Sequence, residues 1–103
     1  MDWCTIFKSS KYFWKEEKAK LLLERRNIDL EEIKKLLQNC RFEIVDVNHS
    51  PYEHQNFVVV IYHNYPTEVV FYHDKTKNTI TIITAYPNRN YKILLSKKQK
   101  WEK

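Results

Sequence analysis

Apolar residues recur along this chain with two different periods. From Trp14 the string KEEKAKLLLERR consists of strong helix formers, and Trp14, Lys18, Leu21, Leu22 and Arg25 share one side at helical spacing. That predicts a first helix closed by Asn27. Asp29-Leu30-Glu31-Glu32 then has the form of a capping box, in which Asp29 accepts from the N3 amide and Glu32 reaches back. A second helix should start near Leu30, with Leu30, Ile33 and Leu37 in its buried stripe and Asn39 as its stop. Beyond it the period changes to that of strands, over Arg41–Val47, Asn56–His63, Thr67–His73 and Thr79–Tyr86. The links Asn64-Tyr65-Pro66 and 74–78 are short and turn-forming, so the last three strands should pair antiparallel. The pattern therefore predicts an α+β domain: two N-terminal helices followed by a four-stranded antiparallel meander. Residues 1–13 are too short and irregular for a helix assignment and read as an extended segment or packed arm.

The second and third strands are apolar on both faces, Val58 and Val60 on one and Phe57, Val59 and Ile61 on the other. Both faces then need cover, one from the helices and the other from the C-terminal tail or a partner protein. The meander also sorts residues by end. One end gathers Arg41, His63, Asn64, Tyr65, Tyr86 and Arg89; the other gathers His49, His54 and His73.

Composition narrows the function classes. At 103 residues the chain is sized for a single domain, residues 1–103. It contains no glycine, which excludes the Gly-rich phosphate loops of nucleotide-cofactor enzymes and the G-x-S-x-G nucleophile elbow, so no cofactor is implied. Turns must instead use residues that tolerate positive φ, and Asn39, Asn64, Asn78 and Asn88 fall at the breaks. No apolar run is long enough to span a bilayer, and Asp2 stands where a signal peptide carries positive charge, so the expected location is the cytoplasm. Cys4 and Cys40, far apart and without a dense cysteine framework, read as reduced thiols. The three histidines of the second end have no metal-ligand spacing, and no metal is assigned.

Charge marks the candidate site. Residues 1–88 hold twelve Lys or Arg against twelve Asp or Glu, whereas residues 89–103 hold six against one, so the formal charge of +5 resides in the tail. The tail begins where the strand TITIITAY is ended by Pro87 and a turn-tolerant Asn88, which leaves Arg89 emerging at the end of the sheet. Arg89 and Lys92 are suited to phosphate, and Lys97, Lys98 and Lys100 extend the basic surface. Tyr65 and Tyr91 offer rings for unpaired bases, and Tyr86 or His63 is a candidate proton carrier. That set suits RNA, including cleavage in which the ribose 2′-OH attacks its own phosphate and the protein supplies base, acid and positive charge.

The stretch YFWKEEKAKLLLERRNIDLEEI resembles the opening of BrnT-type toxins, and HSPYEHQNFVVVIYHNYPTEVVFY with TIITAYPNRNYK is similar to their strand region ending in an arginine. The resemblance covers roughly residues 12–92. It implies a RelE/ParE-like fold, ribonuclease activity against mRNA that blocks translation, and a tightly bound cognate antitoxin. By position, Trp14 corresponds to a structural tryptophan and Arg89 to the arginine after the last strand. The alternative from residue chemistry is a nucleic-acid-binding or protein-interaction module that uses the same surface and cuts nothing.

Overall fold

A computed structural model describes residues 2–46 and 55–92. They form an α+β domain with helices α1 (Trp3–Ser9), α2 (Glu16–Arg26) and α3 (Leu30–Gln38) and strands β1 (Lys11–Phe13), β2 (Ile44–Asp46), β3 (Gln55–Tyr62), β4 (Tyr65–Asp74) and β5 (Thr79–Pro87), ending in a 3₁₀ turn, Arg89–Tyr91. The sheet order is β1-β5-β4-β3-β2. Neighbours from β2 to β5 pair antiparallel, but β1 runs parallel to β5, with Lys11, Tyr12 and Phe13 opposite Thr79, Ile80 and Thr81. The sheet is therefore mixed, not the wholly antiparallel one expected.

The N-terminal arm forms a helix and a short strand where an extended segment or packed arm is expected. Asp2 caps α1 by accepting from the Cys4 amide at 3.0 Å and the Thr5 hydroxyl at 2.7 Å. Phe7 is the residue α1 contributes to the core, fully buried and edge-on to Phe42 and Phe71. The chain then turns into β1, held by a Tyr12 hydroxyl that donates to the Phe7 carbonyl at 2.7 Å. Burial of that phenol raises its pKa. Cys4 and Cys40 are joined in a disulfide with Cα atoms 5.1 Å apart, which overturns the expectation of free thiols. A separation of 36 residues conceals a pairing made by folding α1 across the end of α3.

Helix α3 keeps the predicted stripe, with Leu30, Ile33 and Leu37 all buried. Helix α2 does not keep its own: Leu22 is its buried residue, while Leu21 is 43% exposed. Asn27 closes α2 in the left-handed region at φ 55°. Helix α3 ends in a Schellman arrangement, in which the Cys40 amide donates to the Leu37 carbonyl and the Arg41 amide to that of Leu36. Cys40 takes the left-handed position at φ 60°. Because Arg41 thereby closes the helix, the strand expected from Arg41 begins only at Ile44.

Positive φ falls at Asn27, Cys40, His63, Asn64 and Asn78, so Asn64 and Asn78 act as glycine substitutes while Asn39 and Asn88 do not. His63 and Asn64 form a two-residue hairpin turn closed by the Tyr62–Tyr65 pair, one residue earlier than expected, which places Tyr65 and Pro66 inside β4. The core lies between the helices and the face carrying Val58, Val60, Val69, Phe71, Ile80, Ile82 and Ala85. On the other face Val59, Glu68 and Val70 are also nearly inaccessible, while Tyr72 is 38% exposed. Beyond Thr81 the outer edge of β5 has no strand partner among the described residues, and Arg26 Nη1 donates to the Ala85 carbonyl on that edge at 2.8 Å.

Candidate nucleic-acid interface

Strand pairing brings the beginning of β4 and the end of β5 together. Thr67 lies opposite Pro87, and the Asn88 amide donates to the Pro66 carbonyl at 3.0 Å. The chain then makes one 3₁₀ turn in which the Asn88 side chain accepts from the Asn90 amide at 3.0 Å and the Asn88 carbonyl from the Tyr91 amide at 3.2 Å. Arg89 is exposed on this turn. Lys92 follows it and places its ammonium 5.5 Å from the centre of the Tyr65 ring, a cation–π contact. The corner thus combines two exposed cations with the partly buried rings of Tyr65, Tyr86 and Tyr91.

Beneath it lies a residue that the sequence pattern does not mark as part of the site. Glu68 is 5% exposed, in the middle of β4 and directly opposite Tyr86 on β5. One of its carboxylate oxygens accepts from the Tyr86 hydroxyl and the other from the Tyr91 hydroxyl at 3.2 Å. A buried carboxylate is costly unless strong donors satisfy it, and these two phenols supply one donor to each oxygen. The available signal was a single acidic residue within an apolar strand, between Thr67 and Val69.

The remaining candidates separate. His63 occupies the same end of the sheet but turns towards the helical face, where Nε2 lies 3.0 Å from Glu32 Oε2 and the ring stacks on Tyr62 at 4.0 Å. That removes it from the Arg89 corner. It also breaks the expected capping box: Asp29 accepts from the Glu31 amide at 2.9 Å, while the Asp29 amide donates to the Tyr62 hydroxyl at 3.0 Å. Glu32 is drawn to His63, and the tyrosine takes its place at the cap. Burial raises the Tyr62 pKa, with the nearby Glu32 acting in the same direction.

Lys97, Lys98 and Lys100 lie outside the described residues, as do His49 and His54. His73, from the opposite end, packs against Trp3, and burial depresses its pKa with help from Lys75. Among the described residues no group of three or more His, Cys, Asp or Glu is placed to hold a metal. No helix among them is long and apolar enough to cross a membrane. No known protein family, curated protein or solved structure matches this chain.

Proposed function

We propose that this chain is the toxin of a type II toxin–antitoxin pair, of the BrnT type within the RelE/ParE-like superfamily, acting on mRNA in the cytoplasm and neutralised by a cognate antitoxin. The observation that carries the reading is the corner where Arg89 and Lys92 stand exposed beside Tyr65, Tyr86 and Tyr91. The arginine fork grips two oxygens of one phosphate, Lys92 adds a second positive charge, and the tyrosine rings receive unpaired bases. As the ribose 2′-OH attacks phosphorus and the 5′ oxygen departs, charge grows on the non-bridging oxygens and Arg89 stabilises it. With His63 engaged by Glu32, Tyr86 and Tyr91 are the proton carriers within the corner. A phenol that accepts the 2′-OH proton passes its own to the Glu68 carboxylate, and water protonates the departing oxygen.

A second reading, in which the corner holds RNA without cutting it, is favoured by one specific feature: both phenol protons already point into Glu68. The two readings separate in a single experiment on the full chain. Arg89→Ala should abolish RNA cleavage and growth inhibition, a loss on the order of 10² to 10³ in rate, while stability changes by within about 0.5 kcal/mol because the side chain is exposed. Arg89→Lys should recover only part, since it keeps the charge and loses the fork. Wild-type protein that binds RNA and leaves it intact selects the binding module, and an Arg89→Ala variant that cleaves at the parent rate refutes the site.

A further inference from the structure

We infer that Glu68 is a positioning residue whose buried carboxylate clamps both ends of the segment that carries Arg89. The inference rests on the phosphate-binding role proposed above for Arg89, but its geometry is independent of that role. Tyr86 and Tyr91 bracket the sequence Pro87-Asn88-Arg89-Asn90, and their hydroxyls reach the two oxygens of the same carboxylate. Glu68 itself cannot shift easily. It sits on β4, which is paired on both sides, opposite Val59 of β3 and Tyr86 of β5.

The segment needs such an anchor. A single 3₁₀ turn with one Asx-type cap is marginal by itself, because three residues are fixed for few hydrogen bonds. A backbone bond from the Asn88 amide to the Pro66 carbonyl attaches its start to β4. The clamp adds two bonds more, both to a charged acceptor and therefore stronger than a neutral pair. Tyr86 fixes the end of the strand and Tyr91 fixes the far side of the 3₁₀ turn. Arg89 is held outward between them. The carboxylate stays under the tyrosines, so its negative charge is kept from the phosphate that Arg89 would receive.

The test uses Glu68→Gln, the double variant Tyr86→Phe/Tyr91→Phe, and Arg89→Ala, all in the full chain. Amide hydrogen exchange is followed at Asn88, Asn90, Tyr91 and Lys92, and binding is measured by fluorescence anisotropy with a single-stranded RNA of about 12 nucleotides. Both clamp variants should speed exchange at these amides by about tenfold or more, while Val58 and Val69, paired within the β3–β4 ladder, remain protected. Both should weaken RNA binding about tenfold, as Arg89→Ala does, and adding Glu68→Gln to Arg89→Ala should cause no further loss. A residue needed only for packing would instead give losses that add.

Unchanged exchange at the four amides, or full additivity with Arg89→Ala, overturns the clamp. Wild-type-like exchange and binding with cleavage lost would also overturn it, by leaving Glu68 only the proton-accepting part proposed above. Should the wild-type chain ignore RNA altogether, the phosphate-binding reading fails and the exchange data alone decide the clamp. If Glu68→Gln does not fold, the double tyrosine variant, which leaves the carboxylate in place, decides by the same exchange and binding criteria.

Discussion

Reducing the Cys4–Cys40 bond should destabilise the domain substantially without unfolding it. The bond closes a loop between residues 36 apart, and removing that constraint from the unfolded chain restores entropy equivalent to about 4 kcal/mol at 25 °C. Part of this is offset. Cys40 occupies the left-handed region, which costs a non-glycine residue roughly 1–2 kcal/mol, and a freed Cys40 is able to relax. The relaxation is limited, because the Arg41-to-Leu36 hydrogen bond at 2.8 Å and the buried Phe7 keep α1 and the end of α3 in register. The expected net loss is about 2–4 kcal/mol, against a typical domain stability of about 5–15 kcal/mol. The reduced protein therefore remains folded at 25 °C and melts lower by on the order of 10–20 °C.

The assay is thermal unfolding by circular dichroism with and without a thiol-free reductant, with maleimide labelling to establish the state of both cysteines. Cys4→Ser/Cys40→Ser should melt at the reduced value and ignore the reductant. Complete reduction that moves the melting temperature by less than about 2 °C would refute the loop-constraint argument, since that is below the shift from even 1 kcal/mol in a domain of this size. Ready labelling of both thiols before reduction would refute the bond itself. The same experiment bears on the proposed site of action, because a toxin working in the cytoplasm must stay folded in the reduced form.

Three further outcomes are expected. Tyr62→Phe leaves the part-buried Asp29 amide without its acceptor and should cost about 1–2 kcal/mol in urea unfolding; an unchanged midpoint would mean that Glu32 or water takes over the cap. Asn64→Gly should stabilise the β3–β4 hairpin by about 0.5 kcal/mol, since φ is +62° there, and Asn64→Val should weaken it by more than that; equal unfolding midpoints would contradict the turn assignment. His73 has a folded pKa depressed from 6.5 by burial, so the unfolded chain binds its proton more readily and stability falls as pH drops through 6.5 towards the lower folded value. Urea midpoints at pH 7.5 and 5.5 should therefore differ more in the wild type than in His73→Gln, and an identical difference would remove His73 from the acid sensitivity.

The parts of the fold legible in the sequence are those fixed by local periodicity. Leu30, Ile33 and Leu37 alone define the buried side of α3, and the β-branched run from Thr79 defines β5 whatever it pairs with. The parts that escaped depend on partners far away in the chain. Helix α1 has seven residues, too few for a reliable period, and is held by a cap at Asp2, by Phe7 in the core and by Cys40. Strand β1 has three residues and exists because Thr79–Thr81 offers it an edge. Glu32 carried a complete capping signature and still turned away, because the hairpin delivers His63 to it and Tyr62 to the amide it was expected to serve.

The site divides along the same line. Arg89 and Lys92 are legible as exposed cations because a strand end, a proline and a charge boundary coincide within a few residues, and the meander predicts that Tyr65 lies at the same end. Whether phenols beside them are free to do chemistry is decided by Glu68, about twenty residues earlier, which the strand pattern over Thr67–His73 does not single out. A carboxylate at that point of β4 can be tolerated only if donors come to it, and the register of β5 with the turn after it brings Tyr86 and Tyr91. Binding and catalysis therefore make different demands on this corner. Binding needs the cations exposed and the rings held, which the clamp favours, whereas proton transfer needs a phenol that keeps its bond to Glu68 to accept a second one from the ribose 2′-OH. The ratio of cleavage lost to binding lost in Tyr86→Phe measures which demand prevails: equal losses mean Tyr86 only holds Arg89 in place, and a cleavage loss far larger than the binding loss means its proton moves.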